Sequence, residues 1–149
     1  MSPARRQSKE VKPERLIQKG DVLINSTGAG TLGRVAQVRS PVENCTVDTH
    51  VTIARPIGKE WATYFGQALI SLEPTLSGMG KGATNQLELS RNDIGAIEIW
   101  HPPVAVAHDF HELVWPMLEH AEILLTANQK LVEARDELLP KLMSGEIQV

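Results

Sequence analysis

Cysteine is nearly absent from this chain: Cys45 is the only one in 149 residues. No internal disulfide can form, and a reducing cytoplasm suits such a chain. Long apolar runs are missing as well. The opening Met1-Ser2-Pro3-Ala4-Arg5-Arg6 has no apolar stretch behind its charges, as a secretory signal would. Nothing approaches the roughly 20 apolar residues of a membrane span. A soluble cytoplasmic protein without membrane partners is expected. An excess of positive charge is also lacking, with 15 Lys and Arg against 18 Asp and Glu, a net of −3. That disfavours a polyelectrolyte-type nucleic-acid binder, which is usually basic. A binder whose basic groups gather on one face stays open.

Catalytic constellations are equally scarce. Gly28-Ala29-Gly30-Thr31-Leu32-Gly33 matches the dinucleotide fingerprint, with Asp48 about twenty residues on. The mechanism needs a helix whose N-terminus faces the pyrophosphate. Arg34-Val35-Ala36-Gln37-Val38-Arg39-Ser40-Pro41 follows instead, alternating and cut off by proline, so the loop joins two strands. Gly80-Lys81 resembles part of a P-loop, but Thr75 stands where the first glycine belongs and Gly82 replaces the magnesium-binding hydroxyl. Such a loop still offers N–H groups to a phosphate. His108 and His111 lack the further ligands that zinc needs. Cys45 has no partner that would mark it as a nucleophile. No metal, cofactor or catalytic residue is expected, and the chain does not read as an enzyme.

What the sequence does contain is a long helix. From Phe110 apolar residues recur at alternating spacings of four and three: Val114, Met117, Ala121, Leu124, then Leu131, Leu138 and Leu142, with Asn128 and Arg135 in the gaps. This is the heptad seam of a helix that needs a partner. Leu118, Leu125, Val132 and Leu139 form a second row beside it. Pro116 should kink the helix or mark a short preceding one over about 104–114, Pro140 weakens its last turn, and Gly145 is a natural terminator.

Three parts are expected. Residues 1–14, with Arg5, Arg6, Lys9 and Lys12, read as a flexible basic arm. Residues 15–103 carry short strands at 21–26, 34–39 and 50–55. They also carry a helix over 60–72 with Trp61, Tyr64, Phe65, Ala68 and Leu69 on one face. A glycine-rich loop over 77–85 and a strand over 86–89 follow. Ser90 then caps a single turn through Asp93 before a strand over 96–100, and His101-Pro102-Pro103 is a stiff hinge. Residues 104–149 are the helix. The fold class is α+β: a small mixed or antiparallel β-rich domain followed by a long coiled-coil helix.

The order of these pieces resembles a known family. Gly20-Asp21-Val22-Leu23-Ile24, Gly28 through Gly33 and Arg34-Val35-Ala36 are similar to the central part of a type I restriction–modification DNA-specificity domain. Asp48-Thr49-His50-Val51-Thr52-Ile53-Ala54-Arg55-Pro56 looks like the next strand, which in that family typically ends in Arg-Pro. Leu89-Ser90 through Ile94, Ile97-Glu98-Ile99 and Pro102-Pro103 resemble its exit into a helix. Asn128-Gln129-Lys130-Leu131, Arg135 through Leu142 and Ser144-Gly145-Glu146-Ile147 are the most specific match. The resemblance implies a non-catalytic subunit that reads a split DNA target while its helices act as a ruler. It implies double-stranded DNA, methyltransferase subunits and, through the complex, a restriction subunit as partners. Pairing of the helix with itself or with another specificity chain is implied too. Family members carry two recognition domains, and little precedes Gly20 here, so the N-terminal part of the domain is expected to be missing.

Phosphate contacts need Lys, Arg, hydroxyls and N–H groups, whereas base reading needs forked polar side chains on protruding loops. The two glycine-rich loops fit best. The expected DNA-binding residues are Ser26, Thr27, Thr31 and Arg34 from the first, and Lys81, Thr84, Asn85 and Gln86 from the second. The rival reading is a protein-interaction module that dimerises through its C-terminal helix.

Overall fold

A computed structural model describes residues 11–40, 43–82 and 87–147. The chain divides into two compact units, the first ending at His111 and the second beginning at Glu112. The class is α+β, as the sequence indicates.

The first unit is built on a three-stranded antiparallel sheet of order β2-β1-β3, with β1 at Val22–Asn25, β2 at Val35–Gln37 and β3 at Val51–Ala54. Val22 and Ile24 point to one face and are fully buried, as the two-residue period of a strand requires. Ile24 pairs with Val35 on one side and Thr52 on the other. The glycine fingerprint therefore closes a β-hairpin, with no helix to receive a pyrophosphate.

The two ends of the strand motifs are tied together. Asp21 is 1% exposed, and its carboxylate takes two bonds from Arg55, Nε to Oδ1 and Nη2 to Oδ2, each 2.7 Å. The same guanidinium donates to the Leu16 carbonyl at 2.8 Å, and Gln18 N–H donates to Asp21 Oδ2 at 2.8 Å. A buried carboxylate needs this full set of donors. The pair holds the Arg55 guanidinium still more firmly protonated, the hydrogen bond to Asp21 being the main cause. The Gly-Asp and Arg-Pro signatures are thus two halves of one ion pair.

A 3-10 turn at Lys59–Trp61 leads into α1, Ala62–Ser71. Its buried residues are Thr63, Gly66 and Leu69, so the inward face is narrower than the expected Trp61-to-Leu69 stripe. A Cβ on Gly66 would collide with the Gln37 carboxamide, which donates to Ala62 O at 2.6 Å. Glycine is what lets α1 lie on β2. The segment expected as a loop from residue 77 is still helical: α2 runs Glu73–Gly78, started by Pro74 in its first turn, where a missing N–H costs nothing. Glu73 reaches back to accept from Val35 N–H at 3.0 Å, satisfying a donor on the sheet edge.

Two expected strands are corrected. Around 86–89, where Gln86 lies outside the described residues, Glu88 forms only isolated bridges. Residues 97–100 alternate in burial, but no ladder forms among the described residues. Ile97 and Ile99 pack onto the core without a partner strand. Between these segments Ser90 caps α3, Arg91–Gly95, by accepting from Asp93 N–H. The core gathers Val22, Ile24, Leu32, Leu69, Leu76, Leu89 and Ile94, each worth about 2 kcal/mol of burial.

The last helix, α4, spans Val104–Met143, with Pro116 and Pro140 inside it. Pro116 does not end a shorter helix: α4 continues through it. Gly145, at φ +75°, terminates α4. Its N–H bonds the Leu142 carbonyl, and Glu146 N–H reaches the Lys141 carbonyl at 3.0 Å. This is the Schellman pattern, whose left-handed residue is most easily a glycine.

Candidate nucleic-acid interface

The first loop is a self-bonded platform. Gly33 N–H donates to Asn25 O at 2.8 Å, Leu32 N–H to Gly28 O at 3.0 Å, and the Asn25 side-chain amide to Thr31 O at 3.0 Å. Leu32 plugs the loop into the core, and its carbonyl accepts from Ser77 Oγ at 3.1 Å. Gly33 (φ +80°) sits against the backbone of Leu76 and Ser77, where a Cβ would overlap. The loop is therefore fixed to α2 from beneath.

The second loop is bound to the first through Glu88. Lys81 and Glu88 exchange backbone bonds of 3.0 and 2.9 Å, and Glu88 also bridges Thr27. Ser26 O accepts from Leu89 N–H at 2.9 Å. Two loops separated by some fifty residues are thus brought edge to edge, which the glycine spacing alone does not reveal.

The expected residues divide sharply. Ser26 is 5% exposed, and its hydroxyl is bonded to Thr52 Oγ1 at 2.9 Å, so its role here is to join three segments. Thr27 contributes its backbone to the bridge. Thr31 and Arg34 are exposed, although Thr31 Oγ1 donates back to Thr27 O at 3.2 Å. Lys81 is exposed along most of its side chain, and its ammonium meets Asp93 Oδ1 at 2.6 Å. Asp93 also accepts from Ser90 Oγ at 2.6 Å. These contacts, the Lys81 bond foremost, hold the Asp93 carboxyl below its usual range. Thr84, Asn85 and Gln86 lie outside the described residues, as do Arg5, Arg6 and Lys9.

Beside this junction lies a shallow cleft of about 350 Å³, lined by Ser26, Thr49, Thr52, Glu88, Leu89, Ser90, Arg91 and Asn92. Reading loops for glycine missed Thr49, Arg91 and Asn92. The signal was present in the Ser90 cap, which fixes Arg91 and Asn92 at the head of a turn.

His111 Nδ1 lies 2.6 Å from the fully buried Thr63 hydroxyl. Among the described residues no cluster of three or more metal-ligating side chains occurs. Phe110, expected to begin the helix-pairing seam, packs edge-on against Tyr64 at 6.0 Å, within the first unit. The rest of the seam belongs to the second unit. Met117 is 66% exposed, Leu131 67% and Leu138 47%, and Leu125, Val132 and Leu139 are exposed beside them. Arg135 pairs with its neighbour Asp136 at 2.6 Å. Among the described residues no helix is long and apolar enough to cross a membrane.

No protein-family model matches the chain. Among curated proteins it is similar to the specificity subunit of the type I restriction enzyme HindI from Haemophilus influenzae, at 32% identity over 77 residues. The aligned stretch covers 52% of this chain and 17% of that relative.

Proposed function

We propose that this chain is part of the DNA-recognition component of a type I restriction–modification system. It performs no chemistry itself. Within its first unit, residues 15–103 read duplex DNA through the joined loops. The helix over 104–149 docks methyltransferase subunits and, through them, the restriction subunit, or pairs with a second specificity chain. The observation that carries this reading is the likeness to a restriction-enzyme specificity subunit over half of the chain. Two features of the molecule support it. Exposed hydroxyls and bases (Thr31, Arg34, Lys81) sit on loops anchored to a rigid core, which suits phosphate and base contacts. An apolar seam exposed from Met117 to Leu142, about 38 Å of helix, calls for a protein partner.

The test is duplex binding by the chain together with the methyltransferase subunit of its own system, followed as a function of salt. A log–log slope well below zero marks phosphate contacts. An assembled complex with no affinity for any duplex would contradict DNA recognition and favour the interaction-module reading, which the exposed seam alone also supports.

A further inference from the structure

We infer that the cleft between β3 and α3 is a base-reading subsite, in which Arg91 recognises guanine and Asn92 an adjacent adenine. The inference rests on the DNA-recognition reading and deepens it. Its starting point is the mixed chemistry of the lining. Arg91 brings a forked cation, Asn92 an amide with donor and acceptor, Thr49 and Ser90 hydroxyls, and Glu88 a carboxylate. A phosphate presents acceptors only, and a carboxylate beside it would repel it. The edge of a base pair presents donors and acceptors together. A lining with both kinds of group, Glu88 included, therefore suits base edges better than backbone.

The cleft is also built to hold its shape. Its floor is the buried Ser26, hydrogen-bonded to the half-buried Thr52, and the buried Leu89, whose N–H donates to Ser26 O. Ser90 Oγ accepts from the Asp93 N–H, which fixes the head of α3 in place. Beside the exposed Thr49 and Glu88, Arg91 and Asn92 are exposed on the rim formed by this capped turn. Asp93, next in sequence, holds Lys81, so the rim adjoins the basic loop expected to meet phosphate. The forked geometries fit the two purines: Arg to guanine O6 and N7, Asn to adenine N6 and N7.

The test uses the chain assembled with its methyltransferase subunits and a library of randomised duplexes. Wild type should enrich a defined consensus. Arg91→Lys keeps the charge and removes the fork; it should lose about tenfold of discrimination at one guanine. Asn92→Ala should lose a similar factor at the neighbouring adenine. Affinity for random duplex and its salt slope should stay within about twofold in both. If both variants enrich the wild-type consensus unchanged, the cleft does not read bases. If Arg91→Ala weakens binding to every duplex while Arg91→Lys restores it fully, Arg91 is a phosphate contact and the inference fails. An assembled wild type that enriches nothing would overturn the DNA-recognition reading itself, and the cleft with it.

Discussion

Half of the residues in the second unit are apolar against about two fifths in the first, and the two units use them in opposite ways. In the first, Val22, Ile24, Leu69, Leu76 and Leu89 vanish from solvent, and a buried carboxylate is fully bonded. In the second, Met117, Leu124, Leu131 and Leu138 stay in water. Charge divides as well. From Glu112 onward only Lys130, Arg135 and Lys141 stand against seven acidic residues, whereas the stretch before it holds twelve basic and eleven acidic. An acidic helix is a poor companion for a phosphate backbone. This division of charge supports the proposal that DNA is met by the first unit and protein by the second. A self-contained core and an unfinished one lie side by side in sequence.

Substitutions can break this contrast at several strengths. The largest effect should come from Asp21→Ala, which strips the partner from Arg55 and leaves the Gln18 N–H unbonded. A loss of about 3 kcal/mol in urea unfolding is expected, the low end for a broken buried pair because Arg55 keeps some contact with water. A loss under about 1 kcal/mol would show that the pair is peripheral. Gly33→Ala should follow at about 2 kcal/mol, since it adds a Cβ at positive φ against α2. The double change Leu124→Ser with Leu131→Ser should move unfolding of the free first unit by no more than about 0.5 kcal/mol. It should nevertheless abolish the complex with the methyltransferase subunit in gel filtration. Equal destabilisation by this pair and by Asp21→Ala would erase the distinction between the units.

Smaller effects sharpen the site. Lys81→Ala should weaken binding to all duplexes and reduce the salt slope by about one. Because Lys81 is held by Asp93 in the free protein, Asp93→Asn should strengthen non-specific binding modestly. The smallest signal is a titration. The Asp93 carboxyl, depressed chiefly by Lys81, contributes stability that is present above the ordinary Asp value of 3.8 and lost as pH falls through the lower folded value. NMR should place its midpoint below 3.8 in wild type and nearer to it in Lys81→Ala. An undepressed wild-type midpoint would dissolve the Lys81–Asp93 pair.

Local patterns were legible where local physics decides. A compact apolar run marked β1 and alternation marked β2 and β3; the proline after Ser40 and the branched residues before it excluded a nucleotide-binding helix. Ser90 and Gly145 marked a helix start and a helix end. Burial that depends on tertiary partners was not legible. Ser26 looked like a loop hydroxyl, yet Thr52 and Leu89 close over it. Ile97 and Ile99 alternate as a strand does, but alternation reports a buried face and not a ladder. Phe110 fits the heptad register, and only the fold shows Tyr64 beside it. The Thr27–Glu88 bridge joins loops far apart in sequence, so the grouping of Arg91 and Asn92 with them required three dimensions.

The most direct measurement is the mass, by light scattering, of this chain mixed with the methyltransferase subunit of its own system, with and without duplex DNA. A defined complex that gains mass when DNA is added is the predicted result, with the exposed seam as its docking surface. A symmetric dimer of this chain that ignores both the subunit and the DNA would contradict the account.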